Sequence, residues 1–294
     1  MEKALRDKKV ILSFLLPAVL VFTFTVIFPV IWSGYYSFFY WDGVTQMKLI
    51  GLANFARLFK DIYFTTAFIN NLIYVLINLV GQVFVGLLVA LLLTHITKGR
   101  EFFKTTYFAP TILSSIAVVQ AFQKFYSFDP PGIFNSILKF VGLGYLQTPW
   151  LGTMETSLFS VALIECYKNM GLYLIIIYSG LMAVPSDIIE SAKIDGARGL
   201  KMFFYVKMPY IKNVLIVALI MAVNGLLKAF DIPFIATNGG PGSSSELVTT
   251  YMYKTAFAST QYGYGSAIAV FIAIECIVVV MILQKFFGNA EHEE

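Results

Sequence analysis

Apolar residues fall in six long runs, near 10–38, 67–95, 104–126, 155–183, 211–235 and 264–287. Each holds roughly 20 residues or more, enough for a helix to cross about 30 Å of hydrocarbon. The first contains Pro17 and Pro29 and is too long for a signal peptide, so it is expected to be a retained span. The intervening segments differ in character. Those at 40–66, 127–154 and 236–263 are punctuated by Gly, Pro or Asn, whereas 185–209 is charged. No internal repeat or low-complexity segment is evident. The pattern predicts an all-α membrane protein, with six transmembrane helices forming one domain over residues 1–294.

The charged interval 185–209 is expected to be ordered. Asp187 and Glu190 stand three apart just after Pro185, a capping-box-like helix start with Asp in the Ser/Thr role. Gly196 interrupts that helix, and a second stretch runs from near Leu200 toward Pro209. Glu190, Lys193, Asp195, Arg198 and Lys201 keep the interval out of the bilayer. A charged helix-turn-helix between two spans reads as a docking surface.

Composition agrees with the pattern. The 294 residues are 58% hydrophobic and 13% charged, with mean hydropathy +0.76. A soluble domain carries about 25% charge. The net charge of +4 is small and dispersed, and it calls for no nucleic-acid partner. Of the 21 Lys and Arg, 13 flank the spans on the side of the N-terminus, residues 98–104, the charged loop and the tail, and 6 lie opposite. Cationic residues favour the cytoplasm, so both termini and the charged loop are expected there. Cys166 and Cys276 sit in apolar runs without metal-ligand spacing and read as small buried hydrophobes.

Enzyme chemistry finds little support. There is no phosphate-cradling GxxxxGK[ST] stretch, and the histidines, His95 and His292, form no metal-binding pair. The chain is expected to be non-catalytic and to hold no cofactor of its own. It does place ionisable groups inside spans, where they usually face a bundle interior or a wet cavity. Glu165, Lys168 and Asn169 share a face of the fourth run, and Asn224, Lys228 and Asp231 are spaced as one face of the fifth. Glu275 lies in the sixth, while Thr111, Ser114 and Ser115 follow Pro110 in the third. Glu165–Lys168 and Lys228–Asp231 are read either as ion pairs holding register or as cavity lining. Tyr167, Tyr173, Phe230 and Phe234 are read mainly as packing, although polar groups beside aromatic rings also suit a sugar. The stretch Thr237–Glu246 is either a surface turn or a folded external cap.

The segment Glu190-Ser191-Ala192-Lys193-Ile194-Asp195-Gly196-Ala197, followed by Val206-Lys207-Met208-Pro209, resembles the EAA loop of ABC-importer permeases. Gly51-Leu52 with Asn54-Phe55, and Thr237-Asn238-Gly239-Gly240-Pro241 after Phe230-Asp231, resemble the MalF-like carbohydrate permeases, so the likeness extends over nearly the whole chain. Ser191, Val206 and Met208 depart from the usual pattern while preserving size or polarity.

The resemblance implies a type I ABC importer permease fold in the cell membrane. It also implies a heterodimer with a MalG-like permease, two ATPase subunits that hold ATP and Mg, and an extracytoplasmic solute-binding protein that delivers an oligosaccharide. By this likeness Glu190, Ala192, Asp195, Gly196, Ala197 and Pro209 couple to the ATPase. Matching on Pro110, Pro185 and Thr237 places Thr111, Ser115, Glu165, Lys168, Asn169, Leu172, Gly225, Leu226, Ala229 and Asp231 near the sugar cavity. A di- to tetrasaccharide is the implied cargo, with a glycerol-phosphate-like or other charged solute as the alternative. An ion-coupled secondary transporter using Glu165, Asp231 and Glu275, or a non-transporting scaffold, would be the other classes.

Overall fold

The computed structural model describes residues 8–288, so Lys3, Arg6 and His292 lie outside the described residues. The chain divides into two compact units, one of Ile62–Tyr251 with residues from Ile274 onward, the other of residues up to Asp61 with Met252–Ala273.

In the larger unit α3 (Ile62–His95) and α7 (Ser157–Met182) are each long and apolar enough to cross a membrane. The third run is broken. α4 (Arg100–Ile112) and α5 (Ser115–Phe125) meet at a bend of 101°. Leu113 and Ser114 are extended there, and the Ser114 hydroxyl caps α5 by accepting from the Ala117 N–H at 3.3 Å. The fifth run is likewise not one straight span. α10 (Lys212–Leu227) stops at Lys228, and a separate short helix, α11 (Asp231–Thr237), follows. The i, i+4, i+7 spacing of Asn224, Lys228 and Asp231 therefore does not lie on one helix face, because the helix ends between them.

α7 is the centre of this unit and packs on α3, α4, α10 and α11. Its buried Tyr173, Leu174, Ile177 and Leu181 join Ala90 and Leu93 of α3 and Ala218 and Ala222 of α10 in one core. Lipid tails are as apolar as leucine, so close van der Waals approach has to hold such helices together. Gly171 shows how close: a Cβ there would lie 2.0 Å from the Tyr107 carbonyl oxygen of α4.

The segment 127–154 carries a short helix, α6 (Ile133–Phe140), and folds around one buried amide. Asn135 donates to the Ser127 and Thr148 carbonyls, each at 3.0 Å, and accepts from the Thr148 N–H and the Trp150 indole at 3.3 and 3.1 Å. This unit also carries α8 (Ser186–Ile194), α9 (Leu200–Tyr210) and the greater part of α12 (Val248–Tyr253).

The smaller unit contains α1 (Ile11–Tyr36), the first half of α13 (Tyr262–Gly288) and α2 (Ala53–Leu58). It also holds a departure from the all-α expectation, an antiparallel pair of β1 (Phe39–Tyr40) and β2 (Lys48–Leu49). Asn54 ties its elements together by donating to the Ser37 and Phe39 carbonyls at 2.8 and 2.9 Å. Asp42 sits in the turn between the strands, and hydrogen bonds from the backbone N–H groups of Thr45 and Val44 hold its carboxyl below the ordinary value.

Among the described residues, and counting each bent pair as one, up to six helical spans are available by length and composition.

Candidate functional site

The site is built where helices break. A chain break inside hydrocarbon frees backbone N–H and C=O groups, and these are tolerated only when buried in protein or lining a cavity. Here the α4–α5 and α10–α11 breaks both face α7. Thr111, in the last turn of α4, donates through its hydroxyl to the Lys168 carbonyl at 2.8 Å. Thr249 of α12 similarly donates to the Ala229 carbonyl at the α10–α11 break.

Between these breaks lies a cavity of about 220 Å³ lined by Ser115, Glu165, Lys168, Lys228, Ala229, Phe230, Asp231 and Ile232. It brings together Ser115, Glu165, Lys168, Ala229 and Asp231 from the predicted set. The others stand elsewhere. Thr111 secures the break, Asn169 bonds Glu165, Leu172 packs against the apolar core and Leu226 is buried. Gly225 accepts the Lys228 N–H at the end of α10.

Neither candidate ion pair forms. A salt bridge does join Lys104 to Glu101, at 3.1 Å, but none joins Glu165 to Lys168 or Lys228 to Asp231. The Glu165 carboxylate instead accepts from the Tyr74 hydroxyl at 3.1 Å and from the Asn169 amide at 2.6 Å. Tyr74 is fully buried, as are Asn78 and Gln82 one and two turns along α3. Gln82 donates to the Asn78 side-chain oxygen at 3.0 Å and to the Glu165 carbonyl at 3.3 Å. The Cys166 thiol also donates to Asn78, at 3.2 Å. Glu165 is thus held in place by a buried polar ladder on α3. The sequence reading missed that ladder and Ile232; Lys228, offered there as either ion-pair partner or cavity lining, and Phe230, read mainly as packing, both line the cavity. The signal for the ladder was present, because Tyr74, Asn78 and Gln82 recur every four residues within an apolar run.

Of the predicted aromatics, Tyr167 packs on Phe122 at 5.2 Å, Tyr173 is in the core and Phe230 stacks on Phe234 at 4.9 Å. Glu275 does not line the cavity, and one of its carboxylate oxygens is buried without a hydrogen-bond partner. Cys166 and Cys276 are both buried.

The 237–250 segment is not a surface turn. Ser245–Thr250 are buried, and the Thr237 and Ser245 hydroxyls meet at 2.7 Å. Asn70 of α3 donates to the Ser243 and Glu246 carbonyls, and Ser157 of α7 bonds Ser244 at 2.7 Å.

The charged loop forms two helices, α8 and α9, as the pattern predicts, but the capping box does not form. α8 begins at Ser186 with Pro185 at its N-cap, so Asp187 lies inside the first turn and Glu190 is exposed. The other end carries a Schellman closure: the Ala197 N–H reaches the Ala192 carbonyl at 2.8 Å and the Gly196 N–H that of Lys193 at 3.1 Å. This needs a left-handed residue, and Gly196 has φ +83°. Ala192, Asp195 and Pro209 line a surface groove of about 590 Å³ with Asp187, Ser191 and Tyr205, whereas Glu190, Gly196 and Ala197 do not. Ile194, Leu200 and Tyr205 are 87%, 75% and 80% exposed on this otherwise charged loop, and were not singled out in the sequence.

Residues 98–290 match the family described as "Binding-protein-dependent transport system inner membrane component". The chain belongs to that family. The permease is 34% identical over 283 residues to YurN of Bacillus subtilis, named "Probable ABC transporter permease protein", covering 95% of this chain and 96% of that one. It is 33% identical to the multiple sugar-binding transport system permease protein MsmF of Streptococcus mutans, covering 87% of each. In fold it is similar to a chain of the bacterial ABC transporter involved in import of the acidic polysaccharide alginate. That likeness has TM-score 0.85 at 22% identity and covers 98% of both chains. The permease is therefore a helical, multi-pass inner-membrane component with the type I ABC permease fold.

Proposed function

We propose that the permease translocates an oligosaccharide, most simply a di- to tetrasaccharide, delivered by an extracytoplasmic binding protein. The observation that carries this reading is the convergence of Ser115, Glu165, Lys168 and Asp231 with Phe230 on one cavity at two helix breaks. The lining sets two lysines, Lys168 and Lys228, beside two acidic residues, Glu165 and Asp231, a mixed polar wall that suits a solute rich in hydroxyls, and Phe230 offers a ring to stack on a sugar face. The relatives point the same way by name, among them MsmF and the arabinooligosaccharides transport system permease protein AraP of Bacillus subtilis. At about 220 Å³ the cavity is below the usual 300–1,000 Å³ of a small-molecule site, as expected of one half of a site shared with a second permease.

In this reading both termini and the 185–209 loop are cytoplasmic, and the whole chain is one permease domain. Glu190, Ala192, Asp195, Gly196, Ala197 and Pro209 couple it to one of two ATPase subunits, which supply the ATP and Mg. Thr111 and Asn169 act as positioning residues, Thr111 at the α4–α5 break and Asn169 on Glu165. Leu172, Gly225 and Leu226 act only indirectly, through the packing of α7 and the end of α10. Ion-coupled transport through Glu165, Asp231 and Glu275 is set aside by the family membership.

The test is labelled-sugar uptake across a panel of oligosaccharides by Glu165→Ala and Asn169→Ala variants of the assembled transporter. Each should lose most uptake while keeping binding-protein-stimulated ATPase activity. Unchanged uptake kinetics in both would remove these residues from the pathway.

A further inference from the structure

At the elbow where α9 turns into α10 by 72° there is a second, very different cavity of about 430 Å³. Its walls are Phe204 and Pro209 of α9, Leu215, Ile216 and Leu219 of α10, and Phe287 of α13, with Lys212 at the bend. Lys212 is the one ionisable group in the lining, and among the described residues no carboxylate lies within salt-bridge distance of it. From Lys212 to Leu219 the groove follows α10 for about 10 Å. Around it Phe204, Tyr205 and Phe286 are 54%, 80% and 80% exposed, and Lys207 and Lys285 lie nearby in sequence. Tyrosine is enriched where a bilayer gives way to water and long lysines reach for the same level, so Tyr205 beside Lys207 and Lys212 marks it.

An occupant must therefore be apolar over one turn or more of α10 and anionic at the level of Lys212. We propose that this groove binds an anionic phospholipid, its acyl chain along Leu215, Ile216 and Leu219 and its phosphate at Lys212. The strongly hydrated lysine head stays at the interface while its stem lies on the apolar wall, which is how such side chains meet headgroups. Lipid in this groove would sit apart from the solute cavity, whose lining shares no residue with it, and its seat does not depend on which solute is carried. It also has a mechanical consequence, because Pro209 lines both this groove and the groove of the charged loop. A seated lipid braces the elbow on which that loop is carried.

The experiment uses the full-length permease, purified in the complex it forms in the membrane and placed in nanodiscs of equal parts phosphatidylglycerol and phosphatidylcholine. Native mass spectrometry then counts the lipid that stays bound. Retained phosphatidylglycerol should exceed phosphatidylcholine at least fivefold, and Lys212→Gln should bring that ratio close to one. Ile216→Trp, which fills the groove, should lower retention of both. As a readout that does not depend on folding of the Trp variant, a photoreactive diazirine residue in place of Leu219 should crosslink to lipid in native membranes. Equal retention of the two lipids by the unaltered protein, a preference that Lys212→Gln leaves intact, or crosslinking from position 219 mainly to a protein chain would each overturn the proposal.

Discussion

Two glycines in the charged loop show how a single backbone angle fixes the path of the chain. A Cβ on Gly196 would meet nothing within 4 Å, so the demand there is purely conformational: φ is +83°. For an L-residue the left-handed well costs roughly 1–2 kcal/mol, and more when the side chain is β-branched. Gly196→Ala should weaken the α8 closure modestly. Gly196→Val should abolish uptake while the protein still inserts, which a transport assay paired with a membrane-fraction blot would establish; normal ATP-dependent uptake by that variant would defeat the docking reading. Gly199 is more demanding still, at φ +55° and ψ −124°, a region open essentially to glycine alone. Gly199→Val should be at least as damaging in the same assay. Gly196 was legible because it interrupts a helical pattern within a recognisable motif. Gly199 was not, since its requirement comes from the path the chain takes into α9.

Among elements, the contact of α7 with α4 is the most exacting. Gly171→Leu must push the Tyr107 backbone away, because even a Cβ would sit 2.0 Å from its carbonyl oxygen. Overpacking of this kind costs on the order of 1–3 kcal/mol. The detergent-solubilised melting temperature should fall by several degrees, with Gly180→Ala, whose neighbours are Val214 methyls at 3.1 Å, falling less. The 127–154 segment depends on a different term. Asn135→Leu leaves the Ser127 and Thr148 carbonyls and the Trp150 indole without their partner, at roughly 1–3 kcal/mol for each buried group stranded. Proteolysis within 127–154 should accelerate while α7 remains protected. Hydropathy predicted most helices within a few residues of their ends. It missed the 101° break at Leu113–Ser114 and the stop at Lys228, because both breaks occur within runs that stay apolar enough to read as continuous.

For the molecule as a whole, the missing phosphate loop and the type I ABC permease fold lead to a simple expectation. The purified chain alone should hydrolyse no ATP, and sugar-stimulated hydrolysis should appear only when the proposed second permease, ATPase and binding protein are present. Intrinsic ATPase activity in the isolated chain would contradict that. Class, membrane location and the charged loop could all be read from the order of residues, since the cost of leaving apolar groups in water or charges in lipid depends on local composition. The candidate site was only half legible. Spacing found Glu165 and Lys168 on one helix face, but whether they pair with each other or are held by other groups depends on what a distant segment brings near. Tyr74 reaches Glu165 across 91 positions of sequence, and among the described residues Lys168 has no carboxylate in salt-bridge distance. Local chemistry determined that these charges need partners or water, and only the packing of α3 against α7 decided that Glu165 is held by Tyr74 while Lys168 faces the cavity.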